Sequence, residues 1–126
     1  MKQLSETDVS ALERIFHEPN RMAILSALCA AGDPLSFTEL KSLSGLTDGN
    51  LSRHLKALEE AGVIRIRKAF VGVKPQTTVA LTEKGLKRFD DYLSALSDVL
   101  KKAKQAMAAD GRKAKTAHVS SRAVLA

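Results

Sequence analysis

The sequence predicts a mainly α-helical fold with one small β-hairpin and a long C-terminal helix. Three observations carry that prediction. Apolar residues recur at helical spacing through the first half of the chain. Between Val63 and Leu81 the period changes to two, as a half-exposed hairpin requires. A heptad of apolar residues then runs from Leu86 to Met107.

The 126 residues suit one domain over 1–110, followed by a basic tail over 111–126. A 44% hydrophobic share with 27% charged residues is ordinary for a globular chain. The net charge of +6 favours a polyanionic partner, nucleic acid before an anionic membrane surface; the bland reading is a solvated basic surface. No stretch nears the roughly 18 apolar residues of a membrane span, and the N-terminus lacks an apolar signal core. The expected location is the cytoplasm, on the nucleoid when bound. Cys29 is the sole cysteine, so no internal disulfide or thiolate metal cluster is expected. Its apolar surroundings suggest a small core residue.

A first helix starts from Asp8, with Val9, Leu12, Ile15 and Phe16 as its apolar stripe. It stops near His17, because Pro19 disfavours helix at the residue before it. Pro19 suits the first turn of a second helix over 19–31, in which Met22, Ile24, Leu25 and Leu28 are core candidates. Gly32-Asp33-Pro34 makes a turn, and Leu35 to Phe37 a short extended piece. The helix containing Thr38 turns Leu40 and Leu43 inward. Ser44-Gly45-Leu46 is a tight turn leading straight into another helix, which makes a helix-turn-helix pattern.

That next helix, Thr47 to Gly62, has readable ends and two unlike faces. Thr47 caps it, Asp48 suits the positive end of its dipole, and Gly62 can take the left-handed turn that closes it. Leu51, Leu55 and Leu58 form the buried stripe. The opposite side carries Gly49, Asn50, Ser52, Arg53 and Lys56, small and basic enough to lie in the major groove of DNA. Arg53 can pair bidentately with guanine and Asn50 with adenine, while Gly49 and Ser52 permit close approach. Thr38, Thr47, His54 and Lys56 are placed for the backbone. The bland roles are a solvated charge for Arg53, a helix-terminal hydrogen bond for Asn50 and a core position for His54, which borders the leucines.

After Gly62, residues Val63 to Phe70 alternate apolar and basic side chains, including Arg65, Arg67 and Lys68. A turn over 71–76 with Lys74 at its tip leads to a second strand, Thr77 to Leu81. Arg67, Lys68 and Lys74 are phosphate candidates. Thr82 can cap a helix over about 83–108. Its Leu86, Phe89, Leu93, Leu96 and Leu100 form a seam on a helix about 39 Å long, more than so small a core can cover. A second copy of the chain is the expected cover, with Leu12, Ile15 and Phe16 joining the interface. The bland reading is one amphipathic helix lying on its own domain. Arg112, Lys113, Lys115 and Arg122 among small residues suggest disorder beyond Asp110.

The strings HEPNRMAIL (17–25), LSFTELKSLSGLTDGNLSRHLKALEEAGVI (35–64) and KAFVGVKPQTTVALTEKG (68–85) resemble the winged helix-turn-helix regulators of the MarR/ArsR-like kind. The resemblance covers about residues 8–105. It implies a homodimeric, sequence-specific regulator on double-stranded DNA, with a palindromic operator and no cofactor. The Thr47 helix would enter the major groove, and the basic wing would lie on the adjacent backbone or minor groove. Two departures stand out. The paired cysteines of ArsR-type metal sensors are absent, so no metal site is expected. In place of the Asp-x-Arg wing of MarR proteins stands Lys74-Pro75-Gln76-Thr77. No paired acids, glycine-rich phosphate loop or Cys/His arrangement suggests catalysis, and His17, His54 and His118 are scattered. No residue set demands a small-molecule effector. The competing reading is a winged helix used as a protein-interaction module.

Overall fold

A computed structural model describes the backbone of residues 13–125 and the side chains of residues 13–110. The elements run α1 (Pro19–Ala31), β1 (Leu35–Ser36), α2 (Phe37–Ser44), α3 (Asp48–Glu60), β2 (Ile64–Val71), β3 (Lys74–Leu81) and α4 (Glu83–Leu125). They divide into a compact unit over residues 12–93 and a second unit containing the chain from Ser94 onward. No helix of the described residues is long and apolar enough to cross a membrane.

Local chemistry sets the helix ends. Glu18 caps α1 by accepting the Asn20 and Arg21 backbone N–H groups at 3.2 and 3.0 Å. Pro19 follows where an N–H would lack a helical partner. In α2, Ser36 and Glu39 form a reciprocal capping box. The Thr47 hydroxyl caps α3 by accepting the Asn50 N–H at 3.2 Å.

The sheet has three strands rather than the two the sequence suggested, in the order β1-β3-β2 and antiparallel throughout. Leu35 and Ser36 pair with Val79 and Thr78, so the short extended piece becomes an edge strand. The β2–β3 ladder closes with Val71 opposite Lys74, which shortens the expected six-residue turn to Gly72-Val73. Gly72 takes φ 67°, the left-handed value that a two-residue hairpin needs at its first turn position. Pro75 is tolerated beside Lys74. Alternate antiparallel pairs exchange no N–H bonds, and β1 ends before reaching it.

The core of the first unit joins Ile24, Leu25, Leu40, Leu51, Leu58, Val63 and Val79 to an aromatic cluster. Phe16 lies 5.6 Å from Phe89 and 5.5 Å from Tyr92, ring centre to ring centre. This corrects the assignment of Phe16 and Phe89 to a dimer seam. Both are fully enclosed within their own chain, because the first turn of packing on α4 is directed at residues 12–93. Arg88 closes the cluster, donating to the Glu13 carboxylate at 2.6 Å and to the Ala61 carbonyl at 2.9 Å. Ile15 is half-buried and its carbonyl accepts from Arg21 at 3.4 Å, while Leu12 lies outside the described residues.

Other expectations are also revised. Leu43 is 63% exposed, since Leu40 alone among the buried positions of α2 faces the core. Cys29 is exposed on the outer side of α1. Residues 14–16 form a turn, and the rest of the helix expected from Asp8 lies outside the described residues. The last helix passes its expected end near residue 108. The basic segment taken as a disordered tail follows in helical backbone to Leu125. Its Ala, Lys and Arg residues are strong helix formers, and Gly111 is the lone breaker among residues 83–125 besides Gly85.

Candidate nucleic-acid interface

The two faces of α3 are cleanly separated. Leu51, His54, Leu55 and Leu58 are buried, while Gly49, Asn50, Ser52, Arg53 and Lys56 are exposed. The separation follows from the 3.6-residue period, and the short turn through Gly45 sets α3 against α2. Lys41 of α2 reaches across to Asp48 at 2.8 Å, tying the two helices together at the start of α3. That contact engages a lysine that otherwise suits the DNA backbone.

On the outer face, Arg53 Nη2 donates to Asn50 Oδ1 at 3.2 Å. The guanidinium is thereby held over the first turn of the helix, with its remaining donors directed elsewhere. Among the described residues nothing would meet a Cβ at Gly49, so their packing does not require glycine there. Thr47 and Thr38 are both exposed, Thr47 beside Asn50 and Thr38 in the first turn of α2.

His54 departs from its expected phosphate-facing role. It is 3% exposed, and its Nδ1 accepts the Arg21 Nε–H at 3.2 Å. The Glu18 carboxylate lies 3.6 Å away, and the buried Nε2 has no partner among the described residues. Burial pushes the imidazole below its ordinary value; the charges of Arg53 and Arg21 act the same way, and Glu18 opposes them. The helical period places residue 54 beside Leu51 and Leu58, which removes it from the outer face.

On the wing, Arg65, Arg67, Lys68 and Lys74 are all exposed. Strand alternation divides them. Arg65, Arg67 and Lys74 share one side with Val71, and Lys68 shares the other with Phe70 and Pro75. Beyond the cations, the wing tip carries an apolar group the sequence reading did not single out. Phe70 is 73% and Val73 92% exposed. The break in alternation from Ala69 to Val73 was its sequence signal.

Residues 20–100 match the winged helix DNA-binding domain family. The chain belongs to that family. An uncharacterised protein of Methanocaldococcus jannaschii is 36% identical over 80 residues, which cover 64% of this chain and 86% of that protein. A transcriptional regulator homologue from Pyrococcus horikoshii superposes with a TM-score of 0.71 at 25% identity, covering 77% of this chain and 97% of that one. A MarR-family protein from Enterococcus faecalis superposes at 0.63 with 20% identity, over 86% and 96% of the two chains. The winged-helix protein is thus a DNA-binding transcriptional regulator with a MarR-like fold.

Proposed function

We propose that the winged-helix protein acts as a homodimer on a palindromic operator, with α3 in the major groove and the wing on the adjacent backbone or minor groove. The observation that carries this reading is the outer face of α3. Five small or basic residues stand exposed there, directly opposite four buried ones. Arg53 reads a guanine and Asn50 an adenine; their mutual hydrogen bond holds both side chains near a base-reading arrangement before DNA arrives. Gly49 and Ser52 let the helix approach closely. Thr47 and Lys56 flank them toward phosphates, as does Thr38 on α2. Arg67, Lys68 and Lys74 add backbone contacts from the wing.

Two-fold symmetry would set the recognition helices about 34 Å apart, one turn of DNA. The dimer seam consists of the exposed Leu86, Leu93 and Leu100 with the half-buried Leu96 and Ile15. Selection of bound duplexes from a random pool would report operator sequence, symmetry and spacing together. On the selected duplex, Arg53→Ala should lose about 1–3 kcal/mol while binding to random duplex changes little. Equal loss on both duplexes would make Arg53 a phosphate contact. A salt-independent interaction with duplex would instead favour a protein-docking role for the domain.

A further inference from the structure

The wing ends in an apolar tip that neither the core nor the phosphate-binding cations explain. Lys68 pairs with Thr77 on the ladder, and the next pair on that side is Phe70 with Pro75. The same side begins with Ile64 opposite Leu81 and Ile66 opposite Val79, which pack inward. Phe70 therefore extends the core-facing side of the hairpin past the point where any described residue covers it. Val73 stands at the second turn position, and Val71 at the end of β2 is also exposed. So much apolar surface at the end of a two-stranded ribbon contributes nothing to folding.

The setting of this tip identifies its partner. From Ala61 to Thr82 the chain contains Arg65, Arg67, Lys68 and Lys74 and no carboxylate at all. A hydrophobic protein surface would gain little from four cations that no described carboxylate pairs at the rim, whereas DNA neutralises them. Dimensions restrict the mode further. An undistorted minor groove is about 6 Å wide, and two paired strands are already about 4.8 Å apart before side chains are added. The turn Gly72-Val73 is the one part of the hairpin narrow enough to enter.

We propose that the wing tip is an apolar wedge for the DNA minor groove. Val73 leads, Phe70 follows against the sugar wall or a partly opened base step, and Lys68 and Lys74 hold the phosphates on either side. The inference rests on the DNA-binding reading above and adds a readout to it. With Val73 leading and its lysines held on the phosphates outside the groove, the wing inserts no cation that the strong negative potential of a narrow A-tract would reward. It would favour steps that widen or kink easily, and so read deformability rather than hydrogen-bond pattern.

The test uses the full chain and the duplex recovered by random-pool selection, built with either TA-rich or A-tract sequence where the wing falls. Wild type, Phe70→Ala, Val73→Thr and Lys74→Ala are titrated by fluorescence anisotropy across a salt series, and duplex bending is read by end-to-end energy transfer. The apolar variants should bind the TA-rich duplex about tenfold more weakly and lose both the preference for it and the bend. Their salt slope should stay unchanged, because neither side chain displaces a counterion; Lys74→Ala should flatten it by about one. Both positions are exposed, so matching thermal melts are expected to exclude misfolding. Unchanged affinity and step preference in Phe70→Ala and Val73→Thr would overturn the wedge while leaving duplex binding intact. The same result with loss of wild-type self-association would make the tip a protein contact. No salt-dependent binding by the wild type would overturn the DNA reading and the wedge together.

Discussion

Arg53 and His54 are neighbours on α3 that face opposite ways, and the difference separates the proposed reading residue from a structural one. Arg53 is exposed and donates to Asn50 on the outer face, whereas His54 is locked to Arg21 and approached by Glu18. The lone pair that accepts the Arg21 N–H exists only on unprotonated Nδ1, so a protonated ring would set donor against donor. Burial holds the folded-state pKa below the ordinary 6.5. The unfolded chain therefore takes up the proton first. Stability from this site is complete above about pH 6.5 and is lost as pH falls through the lower folded value. Glu18 adds a second acid step. Burial raises its carboxyl, but the Asn20 and Arg21 N–H bonds and the His54 and Arg21 charges outweigh that and lower it below 4.5. The cap's contribution is present above that value and lost as pH falls through the folded one. Urea unfolding midpoints followed from pH 8 to pH 3 should show both declines. His54→Gln, which can still accept from Arg21, should abolish the upper decline and leave the lower. Persistence of the upper decline in that variant would assign it to another group. The spacing showed that His54 borders the leucines yet assigned it to phosphates, because its partners lie on α1 and its cap, thirty-three positions away in the case of Arg21. No local pattern could show that contact.

At the scale of elements, the start of α4 depends on a close approach that only glycine allows. The Thr82 hydroxyl donates toward the Gly62 carbonyl at 2.7 Å and accepts the Gly85 N–H at 2.8 Å, which draws the first helical turn onto the end of the α3–β2 connection. A Cβ at Gly85 would overlap the Val63 carbonyl, and backbone cannot swing aside as a side chain can. Gly85→Ala is therefore expected to destabilise the domain by about 1–3 kcal/mol despite alanine's better helix propensity. A stabilised variant in urea denaturation would mean that α4 can shift without penalty. The Thr47 and Thr82 caps, the turn through Gly45 and the change of period were legible from the chain, because each arises from residues close in sequence. The third strand was not. Leu35 and Ser36 are too few to specify a strand, and only the presence of β3 gives their backbone groups partners.

For the whole molecule, the proposed function makes operator recognition depend on assembly. A 43-residue α4 is about 65 Å long, and its exposed Leu93, Leu100 and Met107 lie along the heptad. We expect Leu93→Glu and Leu100→Glu to yield monomers in analytical ultracentrifugation and to lose affinity for a two-half-site duplex far more than for a single half-site. Leu100 is 52% exposed and should tolerate a charge without unfolding the chain. Dimers that persist in both variants would place the seam elsewhere. The heptad itself could not say which of its positions serve a partner: Phe89 falls in register with the leucines yet is consumed by Phe16 and Tyr92 of its own chain.

By itself, the amino-acid order determined the helix-turn-helix pattern, the basic wing, the outer face of α3 and the length of apolar periodicity in α4. These follow from short-range spacing, charge and capping chemistry. Only tertiary structure decided that His54 turns inward, that Phe16 and Phe89 belong to one core, and that Phe70 and Val73 are left uncovered. Burial depends on which surfaces meet, and residues far apart in the chain set that through packing.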